Sequence, residues 1–173
     1  MFGNLDKKAS NLCTKQSTEN NSEDKNKNKN MDLSGLLETN RNLKVENLCF
    51  VLMPFSEKFD SIYRAIIIPT VEEAGLDCKR ADDLFNTGPI IVDIFEYIQK
   101  AKVLIADLSE KRPNVFYEVG LAHALEKDVI LISQDIDDVP FDLQHHRCII
   151  YEDTFAGGRV LKDKIKKTIE NIL

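Results

Sequence analysis

The chain contains no G-x-x-x-x-G-K-[ST] and no G-x-G-x-x-G anywhere in its 173 residues, which removes P-loop and dinucleotide-binding enzymes. Its four cysteines, Cys13, Cys49, Cys78 and Cys148, lie far apart and form no C-x-x-C pair. That argues against a zinc site and against a secreted disulfide framework. The adjacent His145 and His146 lack a third ligand, so no metal is expected. No apolar run is long enough to span a bilayer, and the first residues lack the apolar core of a signal peptide. No membrane partner is expected, and the expected compartment is a reducing cytoplasm. A basic excess is also lacking. The net charge is -6 and the pI about 5.1, so no nucleic acid polymer is expected as a partner. One site can still be locally favourable to phosphate.

What is present is an ordinary globular balance, 43% hydrophobic and 30% charged, with length for one domain. Composition breaks near residue 44. The segment "NNSEDKNKNKN" and its surroundings have almost nothing to bury, so residues 1 to about 31 read as disordered. A short helix is expected between Met31 and Lys44. This leader, residues 1–44, holds eight basic and six acidic side chains, leaving 15 basic against 23 acidic for a domain at 45–173.

From residue 45 strands and helices alternate. "NLCFVLM", "LDCKRAD", "KVLIAD", "DVILIS" and "RCIIYE" read as five strands. Four helices lie between or after them. "SEKFDSIYRAIIIPTVEEAG" has Ser56 as its cap, Pro69 as a kink and Gly75 as its end. "GPIIVDIFEYIQKA", "RPNVFYEVGLAHAL" and "GRVLKDKIKKTIENIL" follow. Short, continuously apolar strands separated by helices require a sheet covered on both faces. The expected fold is a three-layer α/β sandwich, flavodoxin/Rossmann-like, with a five-stranded, mainly parallel sheet. Ligands in such folds bind outside the carboxyl ends of the strands.

Those ends carry the candidate residues: Met53, Pro54, Phe55 and Ser56 after strand one, Arg80, Asp82 and Asp83 after strand two, and Asp107 after strand three. Asn114 is expected to cap the following helix, and Glu118 stands four residues later in what reads as its first turn. The dipole of that helix would favour ionised Glu118. If the shared face looks into the crevice, Asp107, Asn114 and Glu118 converge. Gly120 and Ala122 would let a sheet, a helix or a ligand approach closely. A pre-positioned carboxylate suits a nucleophile or a stabiliser of a sugar cation. His123 is off the face of Glu118 and reads as a packing histidine.

The run "IADLSEKRPNVFYEVGLAHAL", with "FVLMPF" upstream and "VPFDLQHHRCIIY" downstream, resembles the nucleoside 2-deoxyribosyltransferase superfamily, in particular its small TIR-like nucleotide-binding branch. The resemblance covers roughly residues 47–152. It implies that Glu118 attacks the anomeric carbon of a nucleoside or nucleotide and that Asp107 orients the nucleophile or the sugar. It further implies that Met53, Pro54, Phe55 and Ser56 line the sugar or phosphate pocket and that Asp93 contacts the base. Family nucleotide hydrolases hold the 5′-phosphate with serines and glycines, whereas "MPFS" offers only Ser56; Arg80 or Arg112 would have to supply the charge. Tyr117, bulkier than many transferases carry there, would stack on a base or pack. The chemistry needs no cofactor, and family habit implies a homo-oligomer.

Three functions compete. The first is an N-glycosidase or N-glycosyltransferase acting on a nucleoside or nucleotide, with Asn114 holding a sugar hydroxyl. The second keeps the glutamate and cleaves the nicotinamide riboside bond of NAD, as TIR-like domains do. The third is a nucleotide-sensing or interaction module without turnover.

Overall fold

The computed structural model describes residues 43–83 and 90–173. The expected disordered stretch, all but the last two residues of the segment expected to hold a short helix, and Gly88 and Pro89 fall outside these residues. Five strands form one sheet: β1 (Leu48–Leu52), β2 (Asp77–Arg80), β3 (Val103–Asp107), β4 (Val129–Ser133) and β5 (Cys148–Ile150). Their order is β2-β1-β3-β4-β5 and every pairing is parallel. The sheet is therefore wholly parallel. The apolar runs of β1, β3 and β4 became the centre of the sheet because their side chains are buried alternately on both faces. Cys49, Val51, Val103, Ile105, Ile130 and Ile132 enter one core, and Leu48, Phe50, Leu52, Leu104, Ala106 and Leu131 enter the other.

The first core is covered by a long helix and by the closing helix. The long helix begins as α1 (Glu57–Ile62), passes through a π-helical turn (Tyr63–Ile67) and continues as α2 (Ile68–Glu73). Pro69 accounts for the irregularity. It has no N–H for the carbonyl one turn earlier and its ring crowds that carbonyl, so the preceding turn widens. Gly75, at φ 81, ends the helix in the left-handed conformation that glycine adopts without strain.

The second core is covered by α3 (Ile90–Lys100) and α4 (Pro113–Ala124). The closing helix, α5 (Phe155–Ile172), starts three residues earlier than its apolar pattern suggests, because the Thr154 hydroxyl accepts from Gly157 N–H at 3.0 Å. Chain order reverses between β1 and β3, so their carboxyl ends flank the crevice where this topology takes ligands. No helix among the described residues is long and apolar enough to cross a membrane.

Candidate functional site

Glu118 occupies the core stripe of α4. The buried positions of this helix are Val115, Glu118, Val119 and Ala122, the i, i+3, i+4, i+7 spacing of a face turned to the sheet. Glu118 is 6% exposed, and among the described residues its carboxyl has no hydrogen-bond partner. Burial pushes its pKa up to about 7. Two expectations are thereby corrected. α4 begins with Pro113, so Glu118 lies in the second turn, where the dipole has weakened. Desolvation governs, and the helix end does not hold the carboxyl in its ionised form.

Asn114 does not cap α4. Arg112 holds the N-cap position and Pro113 the first helical one, where a missing N–H costs nothing. Asn114 is exposed in the first turn, so its common face with Glu118 runs from solvent to core. Gly120 is exposed too, and among the described residues a Cβ added there would meet nothing within 4 Å beyond its own helix backbone and chain neighbours. Ala122, by contrast, is fully buried. Tyr117 is 46% exposed and belongs to the outer surface of the helix.

Asp107 alternates with Val103 and Ile105 and so turns toward the α1–α5 face, opposite the face α4 covers. It is 0% exposed. Its Oδ1 accepts from Ser109 N–H at 3.0 Å and its Oδ2 from the Tyr151 hydroxyl at 2.6 Å. Burial raises its pKa, and the Ser109 and Tyr151 donors, with Lys58 nearby, work against that rise. Among the described residues no hydrogen bond joins Asp107, Asn114 and Glu118.

The expected loop and strand-two residues do meet, around Arg80. Its buried guanidinium donates through Nε to Asp82 at 2.5 Å, again through Nη2 to Asp82, and to Asp60 at 2.8 Å. It lies 4.3 Å from the Tyr63 ring and 5.9 Å from the Phe55 ring, with Nη1 3.8 Å from Met53 Sδ. Burial alone would lower its pKa, but the two carboxylates hold it above the usual value. A guanidinium engaged by two carboxylates leaves little for a phosphate. Pro54 is buried beside this cluster in sequence, and Phe55 is 55% exposed. Ser56 stands at the N-cap of α1, yet its hydroxyl makes no capping bond. Asp93 sits in the first turn of α3, partly buried.

Between the two carboxylates in sequence lies a strained turn. Glu110 and Lys111 have φ of 63 and 51, conformations that cost non-glycine residues about 1 kcal/mol or more each. Glu110 is held by Arg112 at 2.6 Å and Lys58 at 3.3 Å, and its N–H donates to Asp138 at 2.9 Å. Arg112 is thus half-exposed and ion-paired.

Sequence reasoning missed Tyr151, Gln134, Ser109, Tyr63 and Asp60. The rule that polar residues at strand carboxyl ends carry chemistry points to Ser109, two residues past β3, and to Gln134 and Tyr151, which follow β4 and β5 directly. His123, partly buried, stacks on His146 with ring centroids 4.8 Å apart, and His146 meets His145 at 4.5 Å. Among the described residues no group of His, Cys, Asp and Glu is arranged to hold a metal ion.

No family model and no curated protein matches this chain. Solved structures do. The chain is similar to the TIR domain of the Toll-related receptor TRR-2 from Hydra magnipapillata, with TM-score 0.56 and 14% identity over 72% of this chain and 96% of that one. It is also similar to a 2-desoxiribosyltransferase from Leishmania mexicana, with TM-score 0.48 and 19% identity over 67% of this chain and 97% of that one. At these identities the likeness is one of fold, and the chain has a TIR-like α/β fold.

Proposed function

We propose that the protein is an N-glycosidase or N-glycosyltransferase that cleaves the base–sugar bond of a nucleoside or nucleotide. The observation that carries this reading is Glu118, a buried carboxyl on the core face of α4 with no hydrogen-bond partner among the described residues, poised near neutrality. A structural helix gains nothing from a desolvated glutamate between Val115 and Val119. Titratable groups shifted in this way concentrate where chemistry is done.

In this reading ionised Glu118 attacks the anomeric carbon. The bond to the base breaks, the base leaves with its electron pair, and a glycosyl ester forms on Glu118. Water or a second base then attacks the same carbon, releases the carboxylate and gives up its proton to the departed base. The low-polarity surroundings strengthen the attraction between the carboxylate and the developing sugar cation. Phe55, exposed beside the Arg80 cluster, offers a ring on which a base can stack.

A second reading keeps the glutamate and takes NAD as the N-riboside; the TIR-like fold favours keeping it in view. The deciding experiment supplies nucleosides, nucleoside monophosphates and NAD to the purified protein and follows released base by liquid chromatography. Glu118→Ala, checked for folding, runs beside it. Base released by the parent and not by the variant bears the reading out and names the substrate. Binding of one of these compounds with no base released would make the protein a nucleotide-sensing module.

A further inference from the structure

Asp107 is fully buried, so a substrate cannot touch its carboxylate, and any effect it has on chemistry passes through its neighbours. Those neighbours form a closed ring. Ser109 N–H donates to Asp107 Oδ1 at 3.0 Å and the Tyr151 hydroxyl to Oδ2 at 2.6 Å. Gln134 closes the circuit, its side-chain Nε2 donating to the Tyr151 oxygen at 3.2 Å and its backbone N–H to Ser109 Oγ at 2.8 Å. A phenol has one proton. With the Gln134 amide donating to the oxygen, that proton goes to Asp107.

Both oxygens of Asp107 therefore act as acceptors, the arrangement that an ionised carboxylate satisfies best. The other groups that act on it are few. Burial disfavours its charged form, Lys58 on α1 favours it, and the Cys148 thiol on β5, kept protonated chiefly by burial, feels the Asp107 charge. The ring also has a mechanical role. Ser109 opens the strained turn of Glu110 and Lys111 that leads into α4.

We infer that Tyr151 is a positioning residue of the candidate site: its hydroxyl, aimed by Gln134, holds Asp107 as an ionised acceptor and so fixes the turn that launches α4 and Glu118. In its kinetic consequence this rests on the glycosidase reading; in its electrostatic consequence it does not.

The test is Tyr151→Phe, which keeps the ring volume and removes the donor. Carbon NMR titration of the side-chain carboxyls is recorded together with the pH profile of base release. The Asp107 midpoint is expected to move upward. Base release at pH 7 is expected to fall about tenfold, the loss of one hydrogen bond to a charged group, and its pH profile to shift upward together with the Asp107 midpoint. An Asp107 midpoint that stays in place overturns the inference, and so does a moved midpoint with unchanged release. If the parent releases no base, the glycosidase reading alone has failed, and the Glu118 carboxyl signal then replaces the kinetic readout. Its displacement in Tyr151→Phe sustains the positioning role, and an unmoved signal overturns it. Should Tyr151→Phe not fold, Gln134→Leu interrogates the same ring. An upward Asp107 midpoint is again expected, and an unmoved one overturns the inference.

Discussion

Arg80 grips Asp82 with two of its N–H groups while its guanidinium plane lies 4.3 Å from the ring of Tyr63. The Tyr63 hydroxyl donates to Asp83 at 2.6 Å, and the same carboxylate oxygen accepts from the backbone N–H of Arg80 at 3.0 Å. One arginine thus ties the end of β2 to the π-helical turn and to the loop after β1. Lysine can replace neither the planar fork nor the stacking. Arg80→Lys is expected to cost about 1–3 kcal/mol in urea unfolding. A loss below about 0.5 kcal/mol would mean that the loop after β1 is held by something else.

The Glu118 carboxyl gives the proposed reaction a definite pH signature. A nucleophile works only when ionised, and this group titrates at about 7. Base release, measured as kcat/KM, is expected to rise about tenfold per pH unit below that value and to level off above it. A profile that instead falls above about 7 would show Glu118 giving up a proton to the leaving base, and the nucleophile assignment would be abandoned.

The same group makes stability depend on pH. Its folded pKa, about 7, lies above the ordinary glutamate value. The folded chain therefore holds that proton more tightly than the unfolded chain does. This stabilisation is full below the ordinary value and disappears as pH rises through about 7. At pH 8 the buried carboxylate costs roughly 3 kcal/mol, so Glu118→Gln should gain about 1–3 kcal/mol there and much less at pH 5. Denaturant unfolding at both values checks it. An equal gain at the two pH values would show that Glu118 does not titrate in this range.

The sequence made the sheet legible because burial on both faces leaves a plain mark. Leu48–Leu52 and Val103–Asp107 are buried at every position, and only the centre of a parallel sheet asks for that. Glu118 was legible for a related reason, as the one charge interrupting an apolar stripe. Its electrostatics were misjudged because Pro113 shifts the helix start back and because desolvation outweighs a dipole one turn away. The rings around Arg80 and Asp107 were legible only as polar residues at strand ends, and their partnerships were not. Tyr151 reaches Asp107 across 44 residues and Arg80 reaches Asp60 across 20. Such pairs exist only once the strand order has placed β5 and β2 where they stand, and no local spacing encodes that.

The stacked histidines work in the opposite direction to Glu118. Burial, then His146 and His145, lower the His123 pKa below its usual value. The stabilisation from a neutral ring there is present above the ordinary histidine pKa and is lost as pH falls through the lower, folded value. His123→Gln should therefore be less sensitive than the parent to acidification from pH 7 to pH 5. Parallel unfolding curves for the two proteins across this range would show that the stack carries no proton linkage.

Gly120 decides whether the outer face of α4 takes part in binding. A glycine inside a helix costs about 0.5–1 kcal/mol relative to alanine, and among the described residues a Cβ at this position meets nothing within 4 Å beyond its own helix backbone and chain neighbours. Gly120→Ala should therefore stabilise the fold by about that amount. If substrate reaches Glu118 from the crevice at the strand ends, base release by Gly120→Ala should equal that of the parent, because Gly120 lies two residues on and faces solvent while Glu118 faces the sheet. A stabilised variant with a raised KM would place a ligand, or the surface that closes over it, against that side of the helix. Gly157 supplies the contrast, since a Cβ there would come 2.2 Å from the Glu152 carbonyl oxygen. Gly157→Ala should lose stability at the start of α5, far in sequence from Glu118, and so separate a general loss of fold from a specific loss of binding.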